Sequence, residues 1–140
     1  LAGSSDLLRA LSADGPVSVV GFSLGGLFAR LLALRHTEAV RQAITVGSPV
    51  HEPAKNFWMP LDGVIDLWPG PDLRALTAEV SQPLPVPCTA MFTRSDGVVN
   101  WESCVDEAAD MVEIDGPHAL IQTNPRVFEV AARVLARAAG

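Results

Sequence analysis

Short β-branched apolar runs alternate along the chain with stretches of helical spacing. The first run, Val17-Ser18-Val19-Val20-Gly21-Phe22, is nearly continuous in apolar character. It predicts a strand buried on both faces, as in a parallel sheet. From Gly25 to Leu34 the pattern turns helical: Leu27, Leu31 and Leu34 share one side, and Arg30 and Arg35 are placed to face water. Ala43-Ile44-Thr45-Val46-Gly47 predicts a second strand, ending in Ser48-Pro49. Pro87-Cys88-Thr89-Ala90-Met91-Phe92-Thr93 predicts a third, followed by the polar turn Arg94-Ser95-Asp96-Gly97. Met111-Val112-Glu113-Ile114 predicts a fourth, shorter strand closed by Asp115-Gly116-Pro117-His118.

Helices are expected between and around these runs. Asp6 is placed to cap a short one through Leu7, Leu8 and Leu11, which Asp14-Gly15-Pro16 ends. Further helices are expected over Asp72 to Val80 and over Trp101 to Ala109. Asn124 caps a last one, with Pro125 at its first position and Val127, Phe128, Val130, Ala131, Val134 and Leu135 as its apolar side. Strand and helix alternate without a hairpin signal. The fold class predicted is therefore α/β, a parallel sheet of about four strands with flanking helices and right-handed crossovers. Residues 50–85 break the pattern: prolines and the tryptophans Trp58 and Trp68 punctuate them. So long an irregular stretch inside a compact domain points to a functional insertion.

Composition narrows the classes of function. The chain has 140 residues, 49% hydrophobic and 19% charged, with a formal net charge of −6. That supports a packed core in one domain. Ten basic residues against sixteen acidic ones speak against nucleic acid as a partner. No apolar run approaches the roughly 20 residues that a membrane-spanning helix needs. Two cysteines, Cys88 and Cys104, do not make a disulfide framework, and free buried thiols are the expectation. Three scattered histidines and two distant cysteines give no metal-ligand spacing, and no cofactor motif appears.

Three polar residues fall just beyond the ends of predicted strands, where a parallel sheet places its chemistry. Ser23 lies in Gly21-x-Ser23-x-Gly25, between strand and helix. A nucleophile there sits on a sharp turn, with small residues expected at Gly21 and Gly25 to avoid collisions. The helix beneath offers unpaired N–H groups, and the Leu24 N–H is the predicted oxyanion donor. His118 is the candidate base, and Asp96 is placed to hold its imidazole. His36 fits a structural place at a helix C-terminus, and His51 opens the irregular stretch.

The order Ser23, Asp96, His118 is that of the α/β-hydrolases, and the chain resembles their lipase and esterase members. The resemblance rests on Val19-Val20-Gly21-Phe22-Ser23-Leu24-Gly25-Gly26, Thr45-Val46-Gly47-Ser48-Pro49, Thr93-Arg94-Ser95-Asp96-Gly97-Val98-Val99 and Gly116-Pro117-His118. It implies a serine hydrolase acting on small-molecule or lipid esters through an acyl-enzyme on Ser23. An acyltransferase, a thioesterase or amidase on the same triad, and a non-catalytic truncated remnant are the alternatives. It also implies that residues 1–140 form one partial domain, the C-terminal part of the family's fold, with 50–85 as a cap-like insertion. Phe57, Trp58, Met59 and Trp68 would then contact substrate. The family's first strands and its second oxyanion donor are expected to lie outside this chain, leaving the strand before Ser23 as an exposed edge open to association. With a first residue of Leu, the sequence leaves the compartment open, cytoplasmic or secreted.

Overall fold

The computed structural model describes residues 2–52, 56 and 73–137. Helix α1 (Ala2–Leu11) leads into β1 (Val17–Phe22), α2 (Leu24–Arg35) and, after a 3₁₀ turn at Thr37–Ala39, β2 (Val40–Val46). Then follow α3 (Leu73–Val80), β3 (Cys88–Phe92), a 3₁₀ turn at Trp101–Cys104, β4 (Asp110–Glu113), α4 (His118–Ile121) and α5 (Pro125–Arg137). The four strands form one sheet in the order β1-β2-β3-β4, and every neighbouring pair is parallel. The predicted α/β class with a parallel four-stranded sheet is therefore the observed one.

Successive strand residues point to opposite faces, and the core divides accordingly. Ala43 and Cys88 join Leu8 of α1 and Ala33 of α2 in one cluster. Ile44, Val46 and Met91 join Ile121 and the α5 residues Val127 and Val130 in the other. A third cluster, Leu27, Leu31, Val50, Leu76 and Val80, binds α3 to α2. Because all four strands run the same way, their C-terminal ends lie along one rim, and the turns bearing Ser23, Asp96 and His118 leave from it.

Several local expectations are corrected. Among the described residues β1 is the outermost strand of the sheet, and Val20 is 55% exposed rather than buried. Arg30 does not face water. It is 1% exposed, its Nε donates to the Val80 carbonyl, Nη2 to the Gln82 carbonyl, and Nη1 to Asp106 Oδ2 at 2.6 Å. Arg35 does reach the surface, where it pairs with Glu79. Helix α1 begins four residues before Asp6, which therefore pairs with Arg9 instead of capping. The helix expected from Trp101 to Ala109 stops after one turn. Val105 is extended (φ −73°, ψ 122°), and the next residue, Asp106, is drawn inward by Arg30. At α5, the Asn124 side chain accepts from the Arg126 N–H as a cap should, but Phe128 points outward at 61% exposure.

Among the described residues no helix is long and apolar enough to cross a membrane. Cys88 and Cys104 are both buried and free.

Candidate active site

Ser23 sits where β1 ends and α2 begins, in a backbone conformation (φ 50°, ψ −122°) that residues with side chains rarely adopt. The strained turn is pinned by its own N–H, which donates to the Val46 carbonyl at 2.8 Å. Two glycines make the turn possible. A Cβ on Gly21 would fall 2.2 Å from the Gly25 carbonyl oxygen, and one on Gly26 would fall 1.9 Å from Ser48 Oγ. Gly25, expected to be the second of the pair, would meet nothing within 4 Å. The backbone of Gly25 presses on Gly21, while its own Cβ direction is open, so the steric requirement lies one residue further on.

Asp96 and His118 leave β3 and β4, and both are buried. Asp96 Oδ1 accepts the backbone N–H groups of Val98 and Val99 at 3.0 and 2.6 Å. Its Oδ2 lies 2.7 Å from His118 Nδ1. A carboxylate only accepts, so Nδ1 carries the proton and donates it, leaving Nε2 as an acceptor. Nε2 stands 3.0 Å from Ser23 Oγ. The three predicted residues are thus brought together in one relay, although Ser23 and His118 are 95 positions apart. The Phe22 ring tilts against the imidazole with centroids 5.5 Å apart.

Beside His118 and Asp96 stands a glycine whose only part in the sequence reading is its place in a motif. Gly47 has φ 57°, and a methyl group there would lie 3.3 Å from both Cε1 and Nδ1 of His118 and 3.5 Å from Asp96 Oδ2. Its N–H bonds the Met91 carbonyl at 2.9 Å, which ties the end of β2 to β3. The signal was present as a Gly immediately after an apolar run, but only the fold shows what it faces.

The other candidates fall elsewhere. His36 terminates α2 and its Nε2 is 2.9 Å from Ser5 Oγ, a structural place as expected. His51 is exposed and is held through its backbone N–H to the Ser103 carbonyl. Leu24 is the first residue of α2, where helix N–H groups have no partner four residues back. Phe57, Trp58, Met59 and Trp68 lie outside the described residues. The thiols are not competing nucleophiles. Burial, reinforced by the Asp96 carboxylate, pushes Cys104 up to about 12, and burial pushes Cys88 up to about 11. Among the described residues no group of three or more His, Cys, Asp or Glu is placed to hold a metal ion.

The fold and the rim on which these residues stand define a class of protein. A family model for the alpha/beta hydrolase fold matches residues 5–79, just over half of the 140-residue chain, and the chain belongs to that family. Solved structures agree in fold at low identity. A hydrolase from Pseudomonas aeruginosa is 15% identical, with 96% of this chain and 69% of that one covered and a TM-score of 0.64. A thermophilic esterase is 18% identical (98% and 71% covered, TM-score 0.62). A thioesterase domain from the curacin biosynthetic pathway is 14% identical (99% and 70% covered, TM-score 0.55). No functionally curated protein matches the chain.

Proposed function

We propose that the chain is a serine hydrolase that cleaves carboxylic esters through an acyl-enzyme on Ser23. The observation that carries this reading is the relay itself, Asp96 Oδ2 to His118 Nδ1 at 2.7 Å and His118 Nε2 to Ser23 Oγ at 3.0 Å. With Nδ1 protonated by its bond to the carboxylate, Nε2 is free to take the Ser23 hydroxyl proton as Oγ attacks the ester carbonyl. The carbonyl oxygen becomes an oxyanion, and the Leu24 N–H at the start of α2 is the group we assign to it. Collapse expels the alcohol, which takes the proton back from His118. Water then attacks the acyl-Ser23 ester by the same route, releasing the acid and regenerating the serine. Asp96 keeps its charge throughout and steadies the imidazolium.

Transfer of the acyl group to an acceptor other than water, or cleavage of a thioester or amide, would share the first step. The esters of p-nitrophenol and a fluorophosphonate probe test the reading together. The wild-type chain is expected to add one phosphonyl group, detected by mass, and Ser23→Ala to add none. Labelling that persists in Ser23→Ala sinks the assignment, and no labelling or turnover in the wild type favours a non-catalytic member of the family.

A further inference from the structure

β3 and β4 are parallel neighbours, and beyond β4 the Ile114 N–H bonds the Phe92 carbonyl at 2.7 Å. Past this rung each strand leaves the sheet in a turn, one bearing Asp96 and the other His118. Two further hydrogen bonds run between those turns. The His118 N–H donates to the Asp96 carbonyl at 2.9 Å, and the Thr93 hydroxyl donates to the Gly116 carbonyl at 2.7 Å. The second is made by a side chain that is 1% exposed.

The Thr93 oxygen also accepts the Ser95 N–H at 3.3 Å and lies 3.1 Å from Ser95 Oγ. A hydroxyl has one proton to give and two lone pairs to receive with. With its proton on Gly116 and both lone pairs facing Ser95, the Thr93 hydroxyl has a single orientation. It couples three consecutive points: the end of β3, the turn that presents Asp96, and the turn that presents His118. Gly116 itself has φ 113°, a conformation that residues with side chains rarely adopt.

We propose that Thr93 is a positioning residue for the reaction, its hydroxyl setting the spacing between the Asp96 and His118 turns and so holding the imidazole between carboxylate and serine. This rests on the reading of Ser23, Asp96 and His118 as the catalytic relay. Thr93 touches no reacting atom and acts through Gly116 and Ser95. The ends of the 115–117 turn stay tied by Asn124 Nδ2 to the Asp115 carbonyl and by the His118 N–H to the Asp96 carbonyl. Losing the hydroxyl leaves the Gly116 carbonyl and the Ser95 N–H without this partner and loosens the middle of that turn. Proton transfer across 3.0 Å tolerates little such displacement.

The test uses Thr93→Val, which keeps the shape and removes the hydroxyl, beside Thr93→Ser, which keeps the hydroxyl. Thr93→Ala replaces the valine variant if that one does not fold. In the valine variant kcat and the fluorophosphonate labelling rate are expected to fall about tenfold, with KM within about twofold, while the serine variant stays within about twofold of wild type. The His118 Nδ1 proton resonance, far downfield when held on a carboxylate and assigned by its loss in His118→Gln, gives a readout that needs no turnover. It is expected to move or broaden in Thr93→Val and to stay in Thr93→Ser. Wild-type rates with an unmoved resonance in the valine variant overturn the proposal, as does equal impairment of both variants. If the wild type neither labels nor turns over, the hydrolase reading fails by itself. The resonance then decides Thr93: unmoved in the folded valine variant it overturns the positioning role, and moved it supports that role.

Discussion

At the scale of single residues, the glycines around Ser23 differ in what a methyl group would meet. Gly26 has Ser48 Oγ 1.9 Å and Ser48 Cβ 2.7 Å from its virtual Cβ, whereas Gly25 has open space. Gly25→Ala is therefore expected to be neutral or stabilising by up to about 1 kcal/mol, because alanine loses less backbone freedom in a helix. Gly26→Ala is expected to cost about 2 kcal/mol or more through overpacking. Adding Ser48→Gly should return much of that loss. Urea unfolding of the four proteins checks this, and equal stability of the two alanine variants would contradict the steric reading. The order Ser23, Asp96, His118 and their places after strands were legible in the sequence, because each stands beside a turn signal at the end of an apolar run. Which glycine carries the turn was not. That depends on Ser48, which arrives from the end of β2 and has no sequence relation to the serine turn. What Gly47 and Thr93 face was not legible for the same reason, since both make their contacts across strands.

At the scale of elements, α2 is held by more than its leucines. Its buried Arg30 ties it to the end of α3, through the Val80 and Gln82 carbonyls, and to Asp106. The periodicity that predicted α2 also put Arg30 on its wet side. Helical spacing gives a side chain's direction, but not whether another segment, here the one around Asp106, folds over it. The same ion pair explains why the chain after Trp101 makes one turn instead of a helix to Ala109. Arg30→Met is expected to destabilise by about 3–5 kcal/mol, because it strands a buried carboxylate. The double variant with Asp106→Leu should recover part of the loss, since a buried pair replaced by apolar groups is often tolerated. A cost below about 1 kcal/mol in urea unfolding, typical of surface pairs, would show that Arg30 is not the clamp described. The strands themselves were better foretold. β1 matches its predicted span, and β2, β3 and β4 shift by a few residues at their ends, where local pattern is weakest.

At the scale of the whole molecule, the composition offers an unusually clean view of the two thiols. The chain contains no tyrosine and one lysine, Lys55, so few other groups titrate between pH 9 and 11. Burial raises Cys88 from 9.0 to about 11 and Cys104 from 9.0 to about 12. In the unfolded chain both thiols ionise near their ordinary value. Below pH 9 both states keep the proton, and the contribution to stability is whole. Above it the unfolded state releases protons that the folded state retains, so stability falls as pH rises toward the folded values. The expected slope reaches about 1.4 kcal/mol per pH unit for each thiol. Urea unfolding at half-unit steps from pH 8 to 11 should show a steep decline above pH 9, and the Cys88→Ala/Cys104→Ala variant should show a shallower one from a lower starting point. A flat profile, or the same slope in the double variant, would mean that the thiols are not sealed in the folded state. Since Cys104 feels the Asp96 carboxylate, the two single variants divide the effect usefully. If Cys104→Ala roughly halves the slope between pH 9 and 11, the thiol beside Asp96 is sealed from water in the folded state.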